Sequence, residues 1–125
     1  MTHYFPFAPM AAPRPRFGKR TYMPKGYVQW KAAVRTFWGM PAPTKEPVGL
    51  AILLDEIPWK RLKGDCDNYA KSIMDALEGL AYENDRQVRL LEIAFRPAKQ
   101  AGFTVIVTPM STTPGSKAQG IGTPP

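Results

Sequence analysis

Cysteine and histidine each occur once in the chain, as Cys66 and His3. A single cysteine excludes an intrachain disulfide framework and a cysteine-rich zinc site. Cysteine–histidine nucleophilic chemistry is disfavoured as well, because His3 lies far from Cys66 in an aromatic, proline-interrupted segment. Long apolar runs are missing: none approaches the ~20 residues needed to span a bilayer. The first residues, Met1-Thr2-His3-Tyr4-Phe5-Pro6, lack the basic start and continuous apolar core of a signal peptide. A cytoplasmic protein with no membrane partner is expected. Acidic residues are also scarce, ten against seventeen Lys and Arg, for a net charge of +7. That balance favours a polyanionic partner, with nucleic acid the commonest. Acidic membrane surfaces compete for the same charge, but no basic amphipathic helix stands out.

The chain has 125 residues, 44% of them hydrophobic and 22% charged, which suits one soluble domain. Residues 3–9 read as a short aromatic strand that Pro6 confines to an edge. Residues 24–40 read as a helix whose stripe of Tyr27, Val28, Trp30, Val34, Phe37 and Trp38 faces the core. Residues 48–57 alternate Val48, Leu50, Ile52 and Leu54, with Ala51 and Leu53 between them, which suggests a central strand covered on both faces. A second helix is expected over residues 67–78, with Gly79 as its stop. Strands follow at 87–96, mostly buried, and at 102–108, joined by a link short enough for a hairpin between antiparallel neighbours. The order β-α-β-α-β-β predicts an α/β fold, a small mixed β-sheet with two helices, over residues 1–110. Residues 111–125 are rich in Ser, Thr, Gly and Pro and form an expected disordered tail.

Chemistry concentrates after the central strand. Asp65 and Asp67 are separated only by Cys66, and two such carboxylates suit a hard divalent cation such as Mg²⁺. Asp67 and Lys71 are four residues apart and share a helix face. The plainer reading stays open: Asp at a helix start is commonly an N-cap, and an Asp–Lys pair at this spacing is commonly a solvated surface pair. Cys66 reads as a small apolar filler pointing inward; Trp59 could stack on a base or cap the core, and the core reading is favoured. Two basic segments flank the acids in sequence. Arg14, Arg16, Lys19 and Arg20 put four cations into seven residues without an acid, and Lys60, Arg61 and Lys63 lead directly into Gly64-Asp65. Both segments suit phosphate oxygens, which supply affinity with little base specificity.

Taken together, Asp65-Cys66-Asp67-Asn68 with Lys71, then Asp75-Ala76-Leu77, Asn84-Asp85 and Gln87-Val88, with Arg14-Pro15-Arg16 upstream, resemble the RusA family of Holliday-junction resolvases. Members are small endonucleases common in phages and prophages. The resemblance runs over roughly residues 9–108 and is densest at 64–88. It implies a similar α/β arrangement, a homodimer, and paired symmetric cleavage of branched four-way DNA in recombination and repair, without a small-molecule cofactor. It also implies that Asp65, Asp67 and Asp85 form the Mg²⁺ site and that Lys71 is needed for cleavage. Sequence order adds that the three carboxylates meet at one end of the sheet if their strands are neighbours. Asp75, two helical turns beyond Asp67, is expected to be structural, paired with Lys71. The dimer is expected to form through the first strand or a free edge at 102–108. Many relatives have Asp where this chain has Asn84, an aliphatic residue where it has Tyr69, and Lys where it has Pro13. A non-catalytic basic DNA-binding protein and a phosphohydrolase acting on small phosphates are the competing readings.

Overall fold

A computed structural model describes residues 1–13, 25–39 and 42–110 of the chain. The order is β1 (Thr2–Phe5), α1 (Lys25–Trp38), β2 (Val48–Glu56), α2 (Cys66–Leu77), a single 3-10 turn (Asp85–Gln87), β3 (Val88–Pro97) and β4 (Gly102–Pro109). This is the expected class, two helices with a small mixed sheet. No helix among the described residues is long and apolar enough to cross a membrane. The tail at 111–125 and the arm residues Arg14, Arg16, Lys19 and Arg20 lie outside the described residues.

The sheet runs β1-β4-β2-β3, with β4 antiparallel to both its neighbours and β2 parallel to β3. One row of side-chain positions, Phe5, Phe103, Leu54 and Phe95, crosses all four strands in register. Both helices pack on that face. Trp38 stacks on Phe5 at 6.3 Å and Trp30 lies 5.9 Å from Phe103, while Tyr69 meets Phe95 edge-on at 6.1 Å. The α1 stripe buries Tyr27, Trp30, Val34 and Trp38, a spacing of three and four residues that one helix face requires. Val28 and Phe37, expected in that stripe, are exposed.

Three expectations about the sheet need correction. First, β2 is central but not covered on both faces. Its Val48, Leu50, Ile52 and Leu54 are buried, whereas Ala51 and Leu53 on the other face are half-buried and meet no described helix. Second, β3 and β4 are not hairpin partners, since they flank β2 on opposite sides. Their link crosses the end of β2, where the Ala98 amide donates to the Glu56 carbonyl at 2.9 Å. Crossing one strand means covering two strand spacings, ~10 Å, which a link of this length reaches as easily as it closes a hairpin. The α2 crossover then decides the matter, because a strand-helix-strand unit that packs its helix back on the sheet returns parallel. Third, β4 is an interior strand, so the free edges are β1 and β3. As an edge, β3 has no fully buried residue, and Leu91 is exposed.

Candidate active site along the second helix

The start of α2 is set by local chemistry. Asp65 adopts an extended N-cap conformation, and its side chain accepts from the Asn68 amide at 3.3 Å. The helix stops where Gly79 takes φ +85°, a left-handed conformation that side chains beyond glycine rarely adopt. Ahead of the cap, Gly64 has no room for a side chain. A Cβ there would come within 2.9 Å of both Ala11 and the Tyr69 ring. The Gly64 amide donates to the Tyr69 hydroxyl at 3.1 Å, which fixes how the chain enters the helix. Residues 8–13 are strapped across the same end. The Ala12 amide donates to the Asn68 carbonyl at 3.0 Å, the Ser72 hydroxyl bonds the Met10 carbonyl, and the Trp30 indole donates to the Ala8 carbonyl at 3.1 Å.

An open cleft of about 770 Å³ runs along α2, and Asp67, Lys71, Asp75 and Asp85 all line it. Its walls include Pro13, Tyr27 and Leu91. Cys66 also lines the cleft and is partly exposed, so it is not the inward filler that its apolar character suggested. Pro13 is the residue immediately before the basic arm.

Asp75, expected to pair with Lys71, is held instead by partners from α1. The Tyr27 hydroxyl donates to its carboxylate at 3.0 Å and Lys31 pairs with it at 2.9 Å. Burial acts to raise the Asp75 carboxyl. The hydrogen bonds from Lys31 and Tyr27, with the charges of Lys31 and Arg35, outweigh that and hold it below its ordinary range. Burial, the hydrogen bond to Asp75 and its charge together push the Tyr27 hydroxyl up. Lys71 takes no part in this. Among the described residues the two ion pairs are Lys31–Asp75 and Arg96–Asp55, and Lys71 and Asp67 are exposed.

Asp85 enters the cleft from the other end. Asn84, the departure from an acidic residue, caps the backbone by accepting from the Arg86 amide at 2.9 Å. Gln87 accepts from the Glu83 and Asn84 amides, each at 2.8 Å, and donates to the carbonyls of Thr44 and Glu46. This bracket holds the turn against the loop that leads into β2, and the Asp85 amide donates to the Glu78 carboxylate at 3.0 Å. Burial first, then the charges of Asp85, Glu78 and Asp75, push the Tyr82 phenol up. Glu78, Asp85 and the helix dipole are gathered at the C-terminal end of α2, where the cation that answers them comes from α1: the Arg35 guanidinium donates to the Glu78 carbonyl at 3.3 Å.

Because β2 and β3 are parallel, the segment after β2 and the segment before β3 lie at opposite ends of the sheet. The helix from Asp67 to Glu78 covers ~16 Å of axis between them. Among the described residues no three His, Cys, Asp or Glu side chains stand close enough together to hold an ion. Asp67, Lys71 and Asp85 therefore share one cleft along its length, with Asp65 at its head as the cap.

The basic segment Lys60, Arg61 and Lys63 is exposed on the loop that leads into this cap, and none of the three joins an ion pair among the described residues. Trp59 at its start is 80% exposed, which overturns its reading as a lid on the core. Two supporting residues, Gly64 and Gln87, appear in the sequence only as members of motifs, with no role of their own. Their importance comes from contacts with Ala11 and Tyr69, and with Thr44 and Glu46, which no local pattern carries.

No curated protein matches the chain. The family model described as Endodeoxyribonuclease RusA does, over residues 6–108, a span that takes in the cap, the cleft helix, Asp85 and all the strands after β1 up to the last residues of β4, and the chain belongs to that family.

Proposed function

We propose that this endonuclease resolves four-way DNA junctions in recombination and repair, as a Mg²⁺-dependent homodimer in the cytoplasm. The observation that carries the reading is that Asp67 and Lys71 share one cleft without joining an ion pair among the described residues, beside an exposed basic loop that likewise joins none among them. The donor chemistry fits the metal. Mg²⁺ takes oxygen ligands, keeps several waters and needs only one or two carboxylates from the protein. Asp65 and Asp67 supply these at the head of α2. Asp85 is the third carboxylate of the proposed site, and it joins a shared ion only if the cleft rearranges when DNA is bound. Bound Mg²⁺ supplies an activated water and neutralises charge at the scissile phosphate. Lys71 adds a fixed positive charge where the pentacovalent phosphorane becomes most negative. Lys60, Arg61 and Lys63 hold neighbouring phosphates, and the arm of Arg14, Arg16, Lys19 and Arg20 is assigned the same task from sequence.

A resolvase must cut two strands at symmetric positions, and one cleft per chain supplies one cut. Two-fold symmetry matches that requirement. The helix-free face of the sheet, with Tyr4, Leu53 and Ile106 only partly covered, and the free β1 edge are the apolar surfaces available for self-association.

The deciding experiment incubates purified protein with four-way DNA and with linear duplex, with and without Mg²⁺. Paired symmetric nicks on the junction that need the metal support the reading, whereas binding without cleavage supports a DNA-binding module. Light scattering at low micromolar concentration tests the dimer, and a monomer that still makes paired cuts without assembling on DNA removes it.

A further inference from the structure

The loop between β2 and α2 opens with a tight turn. The Lys60 amide donates to the Ile57 carbonyl at 2.9 Å, so Pro58 and Trp59 occupy the two central positions. Proline presets the first of these, which stiffens the turn. The loop is anchored on both sides. The Leu62 amide donates to the Glu56 carboxylate at 2.9 Å, and the Leu62 side chain packs against the core. Trp59 is thus carried on a rigid corner and projects into solvent at 80% exposure, whereas Trp30 and Trp38 are 7% and 3% exposed. Single exposed apolar residues are ordinary, and Val28 and Phe37 are examples. Trp59 differs from them because three exposed cations, Lys60, Arg61 and Lys63, follow it within four residues, and the loop ends at the cap of the cleft helix.

We infer that Trp59 stacks on an unpaired or unstacked base at the branch point of the junction, reading DNA structure while the cations beside it hold the adjoining phosphates. The inference rests on the junction-endonuclease reading. Its physical basis is that an aromatic side chain flanked by cations matches a strand whose base faces are open. In an intact duplex each base face is covered by its neighbours, and reaching it costs unstacking energy. At a branch point that cost is already reduced. Trp59 therefore adds affinity for the junction and little for linear duplex, and it works as a positioning residue without touching the reacting phosphate.

The test measures binding without divalent metal, so that no cleavage intervenes. Trp59 is the one exposed tryptophan among the described residues, so its emission is the red-shifted part of the spectrum. Four-way DNA is expected to quench that part strongly, and linear duplex of the same length only weakly. Trp59→Ala is expected to lose roughly tenfold or more of junction affinity and none for duplex, while Trp59→Phe keeps most of it. An equal loss on junction and duplex, or no loss on either, overturns the stacking role. A shift of Trp59→Ala from dimer to monomer in light scattering also overturns it, by assigning the residue to self-association. Wild-type protein that neither prefers nor cuts the junction brings down the endonuclease reading itself. Wild-type activity with an unaffected Trp59→Ala variant brings down only the stacking role.

Discussion

Asp67 and Asp75 lie eight residues apart along α2, both line the same cleft and both are exposed, yet they differ in the partners that hold them. Asp75 is held by the Tyr27 hydroxyl and Lys31 and ties α2 to α1. Asp67 is exposed and joins no ion pair among the described residues, and Lys71 one turn on is in the same condition. A carboxylate that stabilises a fold has its donors in place before any ligand arrives. A charge kept for a ligand gives up that stabilisation, since an exposed pair contributes only ~0–1 kcal/mol in any case. One helix face thus carries a structural half and a half that we propose is chemical.

The largest effect expected from that division is on cleavage at the chemical half. Lys71→Ala and Asp67→Asn should each lower the cleavage rate by about a hundredfold or more, the order found when one preorganised charge-stabilising group is removed. Thermal midpoints should stay close to wild type. Asp65→Asn sharpens the test, because Asn caps a helix as well as Asp. Lost cleavage at unchanged stability there separates carboxylate charge from capping. Near-wild-type rates in single-turnover assays of all three variants would erase the distinction between the two halves.

The same contrast explains how far the sequence alone could be read. The cap at Asp65, the stop at Gly79 and the shared face of Asp67 and Lys71 depend on neighbours within one or two turns, and they were legible. Asp75 was legible as structural, but its partner was read as the local Lys71 when it is Lys31, 44 residues away in sequence. Strand identities followed from alternation, as at Phe103, Val105 and Val107, whereas pairing did not. Whether β3 joins β4 or passes to the far side of β2 is decided by where α2 packs, a non-local property. Strand direction also bears on the site, because neighbouring strands bring the segment after one and the segment before the next to one end only if they are antiparallel, and β2 and β3 are parallel. For Trp59 the core cap was favoured over a base stack on hydrophobicity alone, while its exposure follows from the turn and from Leu62 taking the place against the core.

Two changes, one just ahead of the α2 cap and one at the structural half, should show in stability. Gly64→Ala places a methyl group against Ala11 and Tyr69 at a site closed on both sides, and overpacking of this kind costs about 1–3 kcal/mol. Denaturant unfolding measures it, and an unchanged midpoint would show that the chain entry into α2 yields freely. Asp75→Asn removes the charge facing Lys31 and weakens the Tyr27 contact, a loss of about 1–2 kcal/mol once solvent access to both partners is allowed for. Its pH dependence has a definite sign. The Asp75 carboxyl is held below its ordinary range, so its contribution is present above the ordinary carboxyl range and is lost as pH falls through it toward the depressed folded value. Wild type should therefore lose more stability than Asp75→Asn between neutral pH and about pH 3. Parallel acid-unfolding curves for the two proteins would place the stabilising charge elsewhere.

The smallest effect belongs to the basic loop, where neither half of α2 is touched. Lys60, Arg61 and Lys63 are exposed and join no ion pair among the described residues, so each is available to a phosphate without first breaking a protein contact. Neutralising one of them releases about one fewer counterion when DNA binds. The slope of log affinity against log salt should then become shallower by about 0.9, and affinity at moderate salt should fall only a few-fold on every DNA sequence alike. That uniformity distinguishes these residues from Trp59, whose loss is expected to fall on the junction alone. Titrations of Lys60→Ala, Arg61→Ala and Lys63→Ala at several salt concentrations check it. Unchanged slopes in all three would leave the exposed charge of this loop without a phosphate partner and move the DNA path to the other side of the cleft.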